Sequence, residues 1–201
     1  MKLYFSPGAC SLSPHIIARE AGIPLELVKV SGPDKKTSDG SDFRALNPKG
    51  YVPALVLDDG SLLTEGAVIV QYLADQKPDA KLVPKAGTLE RYRAQEWLNF
   101  IASEVHKGFS PLFNKANSDD VKQASRDRLA TRYELLEKAL TGKKFLLGDA
   151  FSVADAYLFT VTRWSAVTGV DLSKYPAVTE YVKRIGERPA VKAAIDAETS
   201  K

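Results

Sequence analysis

The stretch Val52-Pro53-Ala54-Leu55-Val56-Leu57-Asp58-Asp59-Gly60-Ser61-Leu62-Leu63-Thr64 decides the fold. Two short apolar runs flank an Asp-Gly turn, which is the pattern of a β-hairpin. The residues before it read as a βαβ unit. Lys2–Phe5 is a strand ending at the Pro7-Gly8 turn. Residues 11–21 read as a helix stopped by Gly22 and Pro24. Residues 25–30 alternate apolar and polar, as a half-buried strand does. Such a unit has parallel strands and a right-handed crossover, and the hairpin adds antiparallel strands to the same sheet. The polar stretch 31–42 reads as a loop or a frayed short helix. Residues 65–76, with Val68, Ile69, Tyr72 and Leu73 at apolar spacing, read as the closing helix. The expected order is βαβ, then ββα.

The texture changes near residue 80. Residues 77–87 hold two prolines and a glycine and read as a linker. Everything beyond is helical in pattern: residues 89–113, Asp119–Leu140, and the mostly apolar 152–167, which is expected at the centre of a bundle. Two more helices follow, with Pro176 and Pro189 in their first turns, where proline is tolerated. The chain is thus expected to pair an α/β domain, 1–80, with an all-α helical bundle domain, 88–201.

Composition narrows the function classes. The 201 residues carry 44% hydrophobic and 26% charged side chains, an ordinary globular balance. The net charge of +3 comes from lysines and arginines interspersed with acids, with no basic stripe for nucleic acid. The single cysteine excludes an internal disulfide and a multi-cysteine zinc site, and fits a reducing compartment such as the cytoplasm. Residues 1–10 lack the long apolar core of a signal peptide, and no run approaches the length of a membrane span.

Several constellations carry chemistry. Cys10 lies between the first strand and the first helix, where backbone N–H groups and the positive end of the helix dipole favour a thiolate; the competing reading is a small buried hydrophobe. Cys10-Ser11-Leu12-Ser13 has no second cysteine to resolve a disulfide, so thiol chemistry needs an external thiol. Val52-Pro53 is either an ordinary proline at a strand start or a cis bond, which leaves the Val52 N–H and C=O to pair with an extended peptide. Glu65-Gly66 opens a helix; it either offers an anion site beside an acid that meets an amine, or simply offsets the dipole. On the long helix, Ala94, Trp97, Leu98, Ile101, Val105, Phe109 and Leu112 share one side. Opposite lie Tyr92, Glu96, Asn99, Ser103, His106 and Ser110, with Lys107 beside them: a solvated face, or a stripe with a functional histidine. His15 reads as local structure, and Ser152-Val153-Ala154-Asp155 as a capping box.

Taken together these segments resemble the glutathione transferases, specifically the bacterial beta class, over the whole chain. The resemblance is carried by residues 1–12, by Asn47-Pro48-Lys49-Gly50-Tyr51-Val52-Pro53-Ala54-Leu55, by 63–73, by 97–107 and by Phe151-Ser152-Val153-Ala154-Asp155-Ala156-Tyr157. It implies a thioredoxin-like domain followed by an all-helical one, in a cytoplasmic homodimer that uses glutathione as co-substrate and no metal. It implies that the Val52 backbone pairs with the cysteinyl part of glutathione, that Glu65 and the Gly66 N–H hold its γ-glutamyl end, and that Lys35 lies near its glycyl carboxylate. Cys10 would face the glutathione sulfur and form a mixed disulfide with it. His106 and Lys107, with Asn99 and Ser103, would come from the helical domain. The second substrate would be a small electrophile or a disulfide. The rival readings are a glutathione-dependent dehalogenase, isomerase or lyase, and a non-catalytic ligand-binding stress protein. Two departures stand out: Gly66 replaces the Ser or Asn of many members, and Phe5 has no hydroxyl for activating glutathione.

Overall fold

A computed structural model describes residues 1–199. By packing, the chain divides into two compact units: residues 1–83 together with the last helix, and residues 84–187.

The first unit is built on β1 (Lys2–Phe5), α1 (Leu12–Glu20), β2 (Glu26–Ser31), β3 (Lys36–Thr37), α2 (Phe43–Leu46), β4 (Ala54–Val56), β5 (Leu62–Thr64) and α3 (Gly66–Asp75). The five strands form one sheet in the order β3-β2-β1-β4-β5. β1 runs parallel to β2, with Leu3 opposite Leu27, and antiparallel to β4, with Tyr4 opposite Ala54. β4 and β5 make the expected hairpin, with Ala54 opposite Thr64. In β1, Leu3 and Phe5 are buried on one face, while Tyr4 alternates to the other and stacks on Phe43 of α2 at 5.5 Å. Full burial of a side chain the size of Phe43 contributes about 1.5–3 kcal/mol. The short edge strand β3 lies where a loop or frayed helix is expected, and α2 follows directly after that stretch, where the sequence reading assigned no element. Asp42 starts α2 by accepting a hydrogen bond from the Arg44 N–H at 2.9 Å.

The second unit is helical: α4 (Leu89–Phe100), a π-helical turn (Ile101–His106), α5 (Lys107–Phe113), α6 (Asp119–Leu140), α7 (Val153–Thr162), α8 (Ser165–Thr168) and α9 (Pro176–Gly186). Every residue of α7 is buried, which makes it the centre of the unit. The helix expected over 152–167 breaks at Arg163-Trp164 into α7 and α8. The Asp155 carboxylate reaches back to the Ser152 N–H at 2.9 Å and accepts from the Leu146 N–H at 2.9 Å and the Tyr181 hydroxyl at 3.0 Å. Burial pushes its pKa up, against these donors, which lower it.

The last helix, α10 (Pro189–Thr199), differs from the expectation that 88–201 forms one helical domain. It packs on α1 in the first unit. His15 Nδ1 lies 3.1 Å from Glu198 Oε1 with both side chains buried, and Arg188 grips Glu20 with two bonds of 2.6 and 2.8 Å. Among the described residues no helix is long and apolar enough to cross a membrane.

Candidate active site

The strand directions bring the first unit's candidates to one end of the sheet. β1 ends there at Phe5 and leads to Cys10. Ser31, at the end of β2, pairs with Lys36 at the start of β3, just after Lys35. Ala54, at the start of β4, pairs with Thr64, the last residue of β5 before Glu65. Cys10, Lys35, Val52, Glu65 and Gly66 therefore share the edge formed by the carboxyl end of β1. Lys35 stands at the β3 side and Glu65 at the β5 side, so a ligand touching both lies across the strand ends.

Cys10 lies on the turn that enters α1. Its carbonyl accepts from the Ser13 N–H at 3.1 Å and from the Ser13 hydroxyl at 2.8 Å. Its thiol donates to the Val52 carbonyl at 3.3 Å, and the residue is half-buried, unlike the fully buried small hydrophobe of the competing reading. The Val52–Pro53 bond is cis. Asn47 is buried and shapes the approach to it, donating from Nδ2 to the Tyr51 carbonyl at 2.8 Å.

Glu65 has φ 71°, in the left-handed region that an L side chain enters at a cost. Its carboxylate accepts from Lys49 Nζ at 2.7 Å, and the same ammonium reaches Thr64 Oγ1 at 3.1 Å. Lys49 was read from the sequence only as loop; its signal was a cation directly before the Val52-Pro53 segment. Gly66 opens α3 beside the other elements, since a Cβ built on it would lie 3.5 Å from Pro53 Cγ and 4.0 Å from Ser13 Oγ. These are ordinary contacts, so a Cβ fits at this position. Cys10, Val52-Pro53 and Glu65-Gly66 thus meet in one place.

In the second unit the polar stripe is exposed as expected except at His106. Asn99, Ser103 and Lys107 are exposed, and the Ser103 hydroxyl bonds back to the Asn99 carbonyl at 2.9 Å. His106 leaves that stripe. The π turn adds backbone between hydrogen-bonded partners, and the imidazole is half-buried with Nδ1 2.7 Å from the Tyr157 hydroxyl. Its ring meets Trp164 edge-on at 4.9 Å, and Trp164 also meets Phe109 at 5.7 Å and Phe113 at 5.4 Å. This aromatic cluster offers apolar surface beside one polar group, the imidazole. Tyr157 and Trp164 were missed as functional candidates. The signal for Tyr157 was a phenol in a mostly apolar helix, which needs a buried hydrogen-bond partner. On the outer side of the same turn, Glu104 accepts from Arg132 Nη2 at 2.7 Å and Arg128 Nη2 at 3.1 Å. These guanidinium groups, Arg132 first, hold its carboxyl below the usual glutamate range. Among the described residues no group of three or more His, Cys, Asp or Glu side chains is placed to hold a metal ion.

Comparison with known proteins places this geometry. Residues 8–76 match the glutathione S-transferase N-terminal domain and residues 100–189 the glutathione S-transferase C-terminal domain. The chain is 45% identical over 198 residues to glutathione S-transferase GstA of Escherichia coli O157:H7, covering 98% of each. A sphingomonad glutathione S-transferase solved in complex with glutathione superposes with a TM-score of 0.97 at 48% identity, covering 100% of each chain. The beta-class glutathione S-transferase of Sphingomonas chungbukensis superposes with a TM-score of 0.96 at 49% identity, covering 99% of each. With both domain models matched and relatives this similar along its whole length, the chain belongs to the glutathione S-transferase family, in its bacterial beta class.

Proposed function

We propose that the protein is a glutathione transferase in which Cys10 faces the glutathione sulfur. The observation that carries this reading is the Cys10 thiol on the Val52 carbonyl, 3.3 Å away, beside the Glu65-Gly66 helix start. The Val52 backbone pairs with the cysteinyl residue of the tripeptide, Glu65 and the Gly66 N–H hold its γ-glutamyl end, and Lys35 neutralises its glycyl carboxylate. A peptide held in this way has its sulfur next to Cys10. Within the helical unit, His106 is the candidate hydrogen-bonding or proton-moving group, with Lys107, Asn99 and Ser103 on the same run of helix, and the cluster around Trp164 offers apolar surface for the body of an electrophile. The glutathione thiolate attacks the electrophilic carbon, and the leaving group departs with the displaced electron pair.

A second reading is favoured by the thiol itself. With oxidised glutathione, the Cys10 thiolate attacks one sulfur, forms a Cys10–glutathione disulfide and releases one glutathione thiolate; a second glutathione then restores Cys10 and leaves as the disulfide. The working form on this proposal is a cytoplasmic homodimer.

Cys10→Ala tests both readings. Intact mass after incubation with oxidised glutathione is expected to show one tripeptide adduct on the parent protein and none on the variant. Thiol exchange is expected to vanish, and conjugation to change several-fold. An unchanged turnover together with an unchanged adduct removes Cys10 from the reaction.

A further inference from the structure

We propose that the protein has a second small-molecule site, at the end of α1 remote from Cys10, which takes a small organic carboxylate with an apolar body. The site lies wholly within the first unit and does not depend on the glutathione reading.

A cavity of about 270 Å³ lies there, lined by His15, Ala18, Arg19, Ile23, Pro24 and Leu25. Its wall is preformed. The Ile23 N–H bonds back to the Ala18 carbonyl at 2.8 Å, around Gly22 at φ 65°, and ties the turn after α1 to the helix itself. Ala18 and Ile23 are buried, so this side of the cavity is apolar. β2 starts directly after Leu25 and runs parallel to β1. The cavity therefore lies toward the amino ends of these strands, whereas Cys10 follows the carboxyl end of β1. The nine residues of α1, about 13 Å of helix, separate the two places.

Arg19 is the charged group of the cavity. It sits in the last turn of α1, where a cation offsets the helix dipole, and two observations go beyond that role. The first is that no acid pairs with it. The adjacent Glu20 is gripped by Arg188, and Arg19 has no carboxylate partner among the described residues. The second is that this exposed guanidinium is held from within by a buried imidazole. Arg19 Nε donates to His15 Nε2 at 3.3 Å, so that nitrogen accepts, and the ring proton sits on Nδ1, 3.1 Å from Glu198 Oε1. His15 is 2% exposed and Glu198 3%. Glu198 Oε2 has no partner among the described residues, so His15 is the donor that this buried carboxylate has. The acid thus fixes the imidazole, and the imidazole fixes the guanidinium.

With Nε engaged inward, the two Nη groups of Arg19 remain as a fork. Such a fork matches a carboxylate through two parallel bonds, and a fork already oriented loses little freedom on binding. The ligand carboxylate extends the chain Glu198–His15–Arg19 by one anion, and its apolar body covers Ala18, Ile23, Pro24 and Leu25. An inorganic anion leaves the apolar wall uncovered, and a neutral apolar molecule leaves the guanidinium without a counter-charge.

Titration of the full chain, saturated with glutathione, with sodium benzoate at constant ionic strength tests this in amide 15N spectra. Expected are saturable shifts in the millimolar range, in keeping with so small a ligand, centred on Ala18, Arg19, Ile23 and Leu25. Benzamide and inorganic phosphate at the same concentration should give much smaller ones. Arg19→Gln should raise the Kd for benzoate about tenfold or more, the loss of a charge-assisted bidentate pair, and Arg19→Lys should raise it less. Leu25→Asp keeps Arg19 and puts a like charge in the wall, and should abolish the shifts. Shifts centred elsewhere, equal shifts with phosphate, or a Kd unchanged in Arg19→Gln overturn the proposal, as does benzoate that competes with glutathione. If glutathione itself does not bind, the functional reading fails, while the benzoate shifts and the Arg19 variants still decide this site.

Discussion

The two units keep their candidate chemistry in different kinds of structure. In the first unit it sits at the ends of elements, where backbone does much of the work: the Val52 carbonyl, the Gly66 N–H and the entry to α1. Strand direction alone brings these groups together, and side-chain identity matters little beyond Cys10, Glu65 and Lys35. In the second unit the chemistry sits on side chains along one helix. Each residue of an α-helix turns the chain by about 100°, so a change of pitch over one turn decides which residues face inward. The first arrangement tolerates substitution, and the second depends on rotation.

The most severe way to test the second half of this contrast is Gly108→Val. A Cβ on Gly108 would come 2.6 Å from Leu129 Cδ2, and Leu129 is fully buried on α6. A branched side chain there must push α5 away from α6, at a cost of roughly 1–3 kcal/mol. Chemical denaturation should show that loss. Turnover should fall further than stability predicts, because His106 lies two residues away. A variant that binds and turns over normally would mean that rotation of this helix is not what places His106.

The first half of the contrast is tested at Glu65, by comparing two replacements. Both remove the carboxylate and the ion pair with Lys49, which is exposed and worth little. Only glycine also relieves the backbone at φ 71°. Glu65→Gly should therefore be the more stable variant, by about 1 kcal/mol over Glu65→Ala, and both should bind glutathione more weakly by a similar factor. If alanine proves as stable as glycine, the left-handed conformation is not a cost carried by the site.

Legibility from sequence follows the same division. β1, α1, the hairpin and α3 were readable because turn residues and period-two alternation mark them directly. The Cys10, Val52-Pro53 and Glu65-Gly66 groupings were readable because they sit at those marked ends. β3 and α2 were not: a two-residue edge strand and a four-residue helix leave no periodicity to detect. The placement of α10 was not readable either, since an amphipathic pattern says that Val191 and Ala194 are buried and not against which helix. Asn99, Ser103, Lys107 and Ser110 of the polar stripe are exposed as that reading required, and His106 alone is half-buried. Its partner, the Tyr157 hydroxyl, lies on another helix, so no spacing along its own helix announces the contact.

The smallest effect is expected from the outer brace of that turn. Glu104 has its pKa lowered, chiefly by the hydrogen bond from Arg132 and then by that from Arg128. A carboxyl whose folded-state pKa lies below its unfolded value, about 4.3 for glutamate, stabilises the folded protein above that value. The contribution is lost as pH falls through the folded-state pKa. Parent protein and Glu104→Gln should thus differ modestly in denaturation midpoint at neutral pH, since the pair is partly exposed, and the difference should shrink on acidification. A gap that stays constant or widens as pH falls would show that the Arg132–Glu104 contact does not act as a charged pair. Because the Glu104 pair grips the turn only from its outer side, while Gly108 packs directly on Leu129, Glu104→Gln should also lower turnover less than Gly108→Val does. The reverse order would move the control of this turn from the packing of α5 on α6 to the surface ion pair.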